Sequence, residues 1–213
     1  MAPRPSSSNR QCLGLTTDNK RSWQDHARNV CILFKTKLAV LKRIKFLPQL
    51  ILESIYFNSS IPNVVYNIVV WASVSPSLKE DIERIHMRAI RIVCKVLTTP
   101  ADESSKLRLC NPISLYYVKT LLVLTYQSYH SLNTEELNIL ISKVKTNYHL
   151  RYSLNLEVSR PRSEFGRSSF KHRAVLAWNL PPKHVKECAS VKSRLKAGVN
   201  MNLSEILVSL KRG

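Results

Sequence analysis

Four basic residues, Arg84, Arg88, Arg91 and Lys95, fall at steps of four, three and four. On an α-helix that spacing stacks cationic heads along one side, about 5–6 Å apart, comparable with the separation of successive phosphates on a nucleic-acid strand. Arg28, Lys35 and Lys42, each seven apart, form a second column of the same kind. A third group, Arg162, Arg167, Lys171 and Arg173, lies toward the C-terminus. The chemistry of these side chains is polyanion recognition, and the composition agrees: 33 Lys and Arg against 14 Asp and Glu, a net charge of +19. A field of that sign recruits DNA, RNA or an anionic membrane surface.

Other chemistries lack their residues. The six histidines are isolated, with no H-x-x-x-H pair for zinc, and the five cysteines are scattered without C-x-x-C spacing. No G-x-S-x-G elbow and no G-x-x-x-x-G-K-[ST] phosphate loop is present, and only four glycines are available to build such loops. Asp18 and Asp25 suit turn and capping roles better than a catalytic carboxylate pair. The expectation is therefore a chain with no catalytic residues, no metal site and no cofactor of its own. No apolar run approaches the roughly 20 residues of a membrane span, the longest stretch, Val64 to Val74, being broken by Asn67 and Ser73. Met1 to Gln11 has no apolar core of a secretory signal. A nuclear or cytoplasmic, non-secreted protein without a membrane partner is expected.

The elements that must carry these residues are helical. Trp23, Ala27, Val30, Phe34, Leu38 and Leu41 recur at three and four, predicting a helix of about twenty residues that starts at Ser22. Pro48 ends it; shorter helices follow over Gln49–Phe57 and Pro62–Trp71. Ser75-Pro76 opens the next, with Leu78, Ile82, Ile85, Ala89, Ile92 and Val96 as its buried stripe and Glu80, Asp81 and Glu83 in its first turn. The arginine ridge then stands about 110° from that stripe. Residues Ile113 to Tyr126 are apolar almost all round, marking a central helix or a face that awaits a partner. A helix from Asn133 to Lys145, an extended basic stretch from Arg151 to Arg167, a helix carrying Phe170, Ala174, Ala177 and Trp178, and weaker helices over Val191–Val199 and Leu203–Leu210 complete the chain. Tyr116, Tyr117, Tyr126, Tyr129 and Trp178 have the faces for base stacking, but their apolar company favours core packing.

Several strings occur in a telling order: LGLTTDNKRSWQDH (Leu13–His26), KLAVLKRIKFLP (Lys37–Pro48), the spaced Tyr56, Pro62, Tyr66 and Trp71, and ERIHMRAIRIV (Glu83–Val93). Pro161-Arg162, the run from Gly166 to Phe170, and Trp178-Asn179-Leu180-Pro181 follow. This ordered set, spanning roughly residues 13 to 195, resembles the thumb and C-terminal tail of jockey-like non-LTR retrotransposon reverse transcriptases. The paired-aspartate box of that family's palm, which holds the metal ions of RNA-directed DNA polymerisation, is not in this sequence.

The resemblance implies a mainly α fold: a helical thumb-like bundle, then a second helical region with short extended segments. The expected organisation is a disordered N-terminus over 1–12, a thumb-like domain over 13–97, a linker over 98–111 and a helical tail region over 112–213. The implied function is that of a truncated reverse transcriptase that binds RNA, DNA or an RNA–DNA hybrid by its backbone, with the palm of the parent polyprotein as a further partner. The alternative is an all-helical protein-interaction scaffold that docks through the helix at Ile113–Tyr129.

Overall fold

The computed structural model describes residues 10–17, 22–95, 112–144, 154–181 and 186. The expected linker over 98–111 and the helices at Val191–Val199 and Leu203–Leu210 fall outside the described residues. The architecture is mainly α with one small sheet, and the chain divides into two compact units, Met1–Ile113 and Ser114–Gly213.

Unit 1 opens with an antiparallel hairpin, β1 (Arg10–Cys12) and β2 (Leu15–Thr17), with Cys12 opposite Leu15. The expected disordered end therefore gives way to a strand at Arg10. Both turn residues are left-handed, Leu13 at φ 49° and Gly14 at φ 78°, as a two-residue hairpin turn of matching twist requires. The Tyr66 hydroxyl donates to the Leu13 carbonyl at 2.9 Å, fastening the strained turn to the helical body.

Helix α1 (Gln24–Arg43) buries Ala27, Val30, Phe34, Leu38 and Leu41 in the predicted phase, with His26 and Cys31 added. Trp23, at φ 58°, precedes the helix rather than lying in it, and Ser22 Oγ accepts from the Gln24 amide at 3.4 Å. The next two expected helices are subdivided. Helix α2 (Gln49–Ile55) runs into a wide π turn over Tyr56–Ser60 and then α3 (Ile61–Val65). Pro62 has no N–H, and its ring would crowd the carbonyl of Asn58; the Ile61 amide reaches back to Tyr56 O, and the wider turn makes room. Asn67, left-handed at φ 49°, separates α3 from α4 (Ile68–Trp71).

Helix α5 (Pro76–Val93) begins with Pro76 in its first turn. Its first turn carries no acid: Glu80, Asp81 and Glu83 sit further in, which corrects the dipole role expected of them. The buried set is Ile82, Ile85, His86, Ala89, Ile90 and Val93, rotated from the expected stripe because Leu78 and Ile92 are only half-buried. The cause lies in the partner: Tyr56 stacks between Phe34 and His86, with ring centroids 6.4 and 5.9 Å away, and its hydroxyl hydrogen-bonds His86 Nδ1. His86 therefore faces inward.

Unit 2 is organised on α6 (Ile113–Tyr129), whose first residue closes unit 1 and in which no residue is exposed. A short helix, α7 (Glu135–Ile139), replaces the longer one expected to Lys145. The chain beyond it turns extended, and Lys143 bridges Leu156 in antiparallel fashion. Asn133 does not cap α7; its Nδ2 donates to Leu124 O and Ser128 Oγ. The extended stretch expected up to Arg167 is broken by α8 (Glu164–Ser168), capped by Ser163 Oγ on the Gly166 amide at 3.2 Å. Helix α9 (Phe170–Asn179) follows, with Ser169 Oγ at its start accepting from the His172 amide. Tyr126, Ile141, Leu156, Val175 and Trp178 form a core, with Tyr129 and Phe170 against it.

Candidate nucleic-acid interface

In unit 1 the cationic residues ride on the two helices that pack most closely together, α1 and α5. These run in the same direction. Gln24 Oε1 meets Ser75 Oγ at 3.5 Å at their starts, and further along Cys31 lies in the electrostatic reach of Asp81. Burial pushes the Cys31 thiol up, Lys35 opposes the shift and Asp81 adds to it. Lys35 of α1 and Asp81 of α5 thus border the same seam. Lys42 stands two turns beyond Lys35, and Arg88 two turns beyond Asp81, about 10.5 Å along each axis. By helical periodicity Lys42 follows Lys35 and Arg88 follows Asp81 along the flanks of that seam.

The remaining ridge residues lie further round. Measured from the centre of the buried arc of α5, Arg88 stands roughly 130° away and Arg84 and Arg91 roughly 170–190°. All three are exposed, as are Arg28, Lys35 and Lys42. Lys95 leaves the ridge: α5 ends at Val93, and Lys95 has φ 48° beyond it, so its side chain does not continue the 84–88–91 line. The sequence pattern carried the helix one turn too far.

Two of the cations are paired, Arg28 with Asp25 at 2.8 Å and Arg84 with Asp81 at 2.5 Å, each three residues apart on the surface. Exposed pairs of this kind contribute about 0.2–0.5 kcal/mol, whereas hydrogen bonds from charged groups to phosphate contribute about 1.5–3 kcal/mol. Pairs this shallow leave both guanidinium groups open to exchange for a stronger acceptor. Arg88, Lys35 and Lys42 form no ion pair among the described residues. Arg43 and Lys45, which the spacing argument passed over, are exposed at the end of α1. Their signal was available: residues 26 to 52 contain no Asp or Glu.

In unit 2, Arg162, Arg167 and Lys171 are exposed around α8 and the start of α9. Arg173 is not. It is half-buried, with Nε enclosed and without a partner, and its guanidinium lies within hydrogen-bonding reach of the Tyr117 hydroxyl. Burial pushes the Tyr117 phenol up, and Arg173 opposes that shift. This placement corrects the reading of Arg173 as a surface contact.

No family model, curated protein or solved structure matches the chain. The aromatic residues settle their own role. Trp178 is fully buried, stacks on Tyr129 at 4.7 Å and donates through Nε1 to Leu154 O at 2.8 Å. Asn179 beside it exchanges two hydrogen bonds with Leu156, accepting from its amide and donating to its carbonyl, each at 2.9 Å. Trp178-Asn179 is thus a clasp that holds the 154–156 segment against α9. Tyr117 and Tyr126 are buried, and Tyr116 and Tyr129 half-buried, in keeping with packing rather than base stacking. Among the described residues no cluster of His, Cys, Asp and Glu could hold a metal ion, and no helix is long and apolar enough to cross a membrane.

Proposed function

We propose that unit 1 grips the sugar-phosphate backbone of a nucleic-acid duplex, RNA–DNA hybrid foremost, and that the chain is the thumb and tail portion of a non-LTR retrotransposon reverse transcriptase. One observation carries the reading: Lys35, Lys42 and Arg88 stand exposed beside the packed α1–α5 pair and form no ion pair among the described residues. Helices present such rows rigidly, so several phosphates can be met without ordering flexible arms. The ordered motifs from Leu13 to Pro181 supply the family, and the RNA, DNA or hybrid partner follows from it. The role assigned is grip, not chemistry; polymerising carboxylates would belong to a palm domain, the further partner in this reading. The scaffold alternative draws less support from the helix it named, since no residue of Ile113–Tyr129 is exposed.

The test is binding of the full chain to RNA–DNA hybrids of unrelated sequence. Equal affinities are expected, together with a marked loss in a variant carrying R84Q, R88Q and R91Q whose circular dichroism is unchanged. Strong preference for one sequence, or full affinity in the folded variant, overturns the proposal.

A further inference from the structure

The turn between α1 and α2 holds out an aromatic ring that phosphate contacts leave unused. Phe46 is 76% exposed, more than any other aromatic side chain of unit 1 among the described residues. Phe34, Tyr56 and Phe57, by contrast, are engaged with one another, Tyr56 lying 6.4 Å from the first ring and 5.3 Å from the last. The turn that carries Phe46 is tied at both ends. The Ile44 amide donates to Val40 O at 3.2 Å and the Leu47 amide to Ile44 O at 3.0 Å. Beyond it the Pro48 carbonyl accepts from the Ile51 and Leu52 amides at 3.1 and 3.2 Å. Leu41 before the turn and Leu52 after it are buried. A ring presented from so tethered a turn gives up little freedom when it is covered.

Its surroundings name the kind of ligand. Lys42, Arg43 and Lys45 are exposed and form no ion pair among the described residues. No acid occurs from residue 26 to 52. Cations beside an exposed aromatic face are the pairing that holds a single nucleic-acid strand, with charges on its phosphates and the ring on a base. A base inside a duplex is already stacked on both sides, so only an unpaired one has a face to give. Lys42 ends the α1 column and lies at most about 14 Å of chain from Phe46. A strand whose phosphate meets Lys42 therefore carries its next bases to the ring. A lipid surface is less suited, because an interfacial anchor needs a broad apolar face, whereas Lys45 and the half-buried Leu47 flank Phe46 directly.

We infer that Phe46 stacks on an unpaired base of a strand that runs on beyond the duplex, with Arg43 and Lys45 on the neighbouring phosphates. The assignment rests on the nucleic-acid reading of unit 1 and adds the form of the ligand, a duplex with a single-stranded extension. It leaves base identity open, since every base has a face to stack.

The experiment uses the full chain and two kinds of RNA–DNA hybrid matched in phosphate number, one blunt and one with a short single-stranded extension on either strand. The extension contains 2-aminopurine. Binding about tenfold tighter to the extended hybrid is expected, with a change in 2-aminopurine emission. F46A should remove both effects while leaving blunt-hybrid affinity and circular dichroism unchanged, because the side chain is solvent-facing. F46W, which keeps an aromatic face, should retain them. Equal affinity of the natural chain for the two hybrids, an advantage that survives F46A, or its loss in F46W overturns the inference, and blunt-hybrid binding then still stands. Failure to bind any hybrid sinks the nucleic-acid reading and this one with it. Sedimentation with phosphatidylglycerol vesicles that depends on Phe46, without any advantage for the extended hybrid, assigns the ring to lipid and overturns the inference as well.

Discussion

Replacing Asn179 by alanine should open unit 2 locally, by an amount that follows from its hydrogen bonds. The Asn179 side chain serves both backbone groups of Leu156, and Leu156 is only 1% exposed. N179A leaves a buried N–H and a buried C=O without partners, each costing about 1–3 kcal/mol. The sum is about 2–6 kcal/mol, towards the lower end because the half-buried Asn179 position admits water. The neighbouring contacts, Trp178 Nε1 to Leu154 O and Lys186 Nζ to Asn155 Oδ1, both 2.8 Å, remain and limit the damage to the clasp. Hydrogen exchange read residue by residue is the appropriate assay, since opening of 154–156 need not melt the whole unit. A loss of 2 kcal/mol speeds exchange of the Leu156 amide about thirtyfold, at 1.4 kcal/mol per factor of ten. Unchanged protection at Leu156, with an unchanged urea midpoint, would refute the view that Trp178-Asn179 is a structural clasp.

Ile85 is buried and Ile92 half-buried, so I85D should unfold unit 1 by enclosing an unpaired charge, while I92D should leave a cooperative melt; equal effects would mean the phase of α5 is wrong. Gly14 has ordinary space around an added Cβ, 3.7 Å from Tyr66, but a φ of 78°; G14A should therefore cost unit 1 about 1 kcal/mol in urea denaturation, through backbone strain alone. Burial lowers the His26 pKa from the ordinary histidine value. The neutral ring is favoured in the folded state, so its contribution is complete above the ordinary histidine pKa and is lost as the pH falls through it, where the unfolded chain takes up the proton first. Melting of unit 1 across pH 5 to 8 should show that loss, and H26Q should flatten it.

How far the residues announced the structure depended on the distance over which their partners lie. Helix α1 was legible because its stripe from Ala27 to Leu41 has one dominant face, and local period fixes such a face. In α5 the apolar residues Ile82, Ile85, Ala89, Ile90, Ile92 and Val93 cover a broad arc. Its phase was set by Tyr56 meeting His86, thirty residues apart in sequence, which no periodicity contains. The π turn followed from Pro62 acting inside a helix rather than ending one. Among the candidate contacts, the cations in mid-helix came out exposed as their spacing implied. Lys95 failed because helix ends are poorly marked without a glycine or a capping side chain. Arg173 failed because its neighbour Tyr117 is 56 positions away. The asparagine of Trp178-Asn179 gave no sign in local pattern of its bonds to Leu156, 23 residues upstream.

The most direct measurement is the dependence of hybrid affinity on salt concentration, for the natural chain and for one with K35Q, K42Q, R84Q, R88Q and R91Q together. Each phosphate neutralised contributes about 0.7–0.9 to the slope of log affinity against log salt. If these five side chains meet phosphates, the variant's slope should be shallower by about 3.5–4.5 units, with its helical content intact. An identical slope in the two proteins would show that the α1–α5 seam does not hold the nucleic acid.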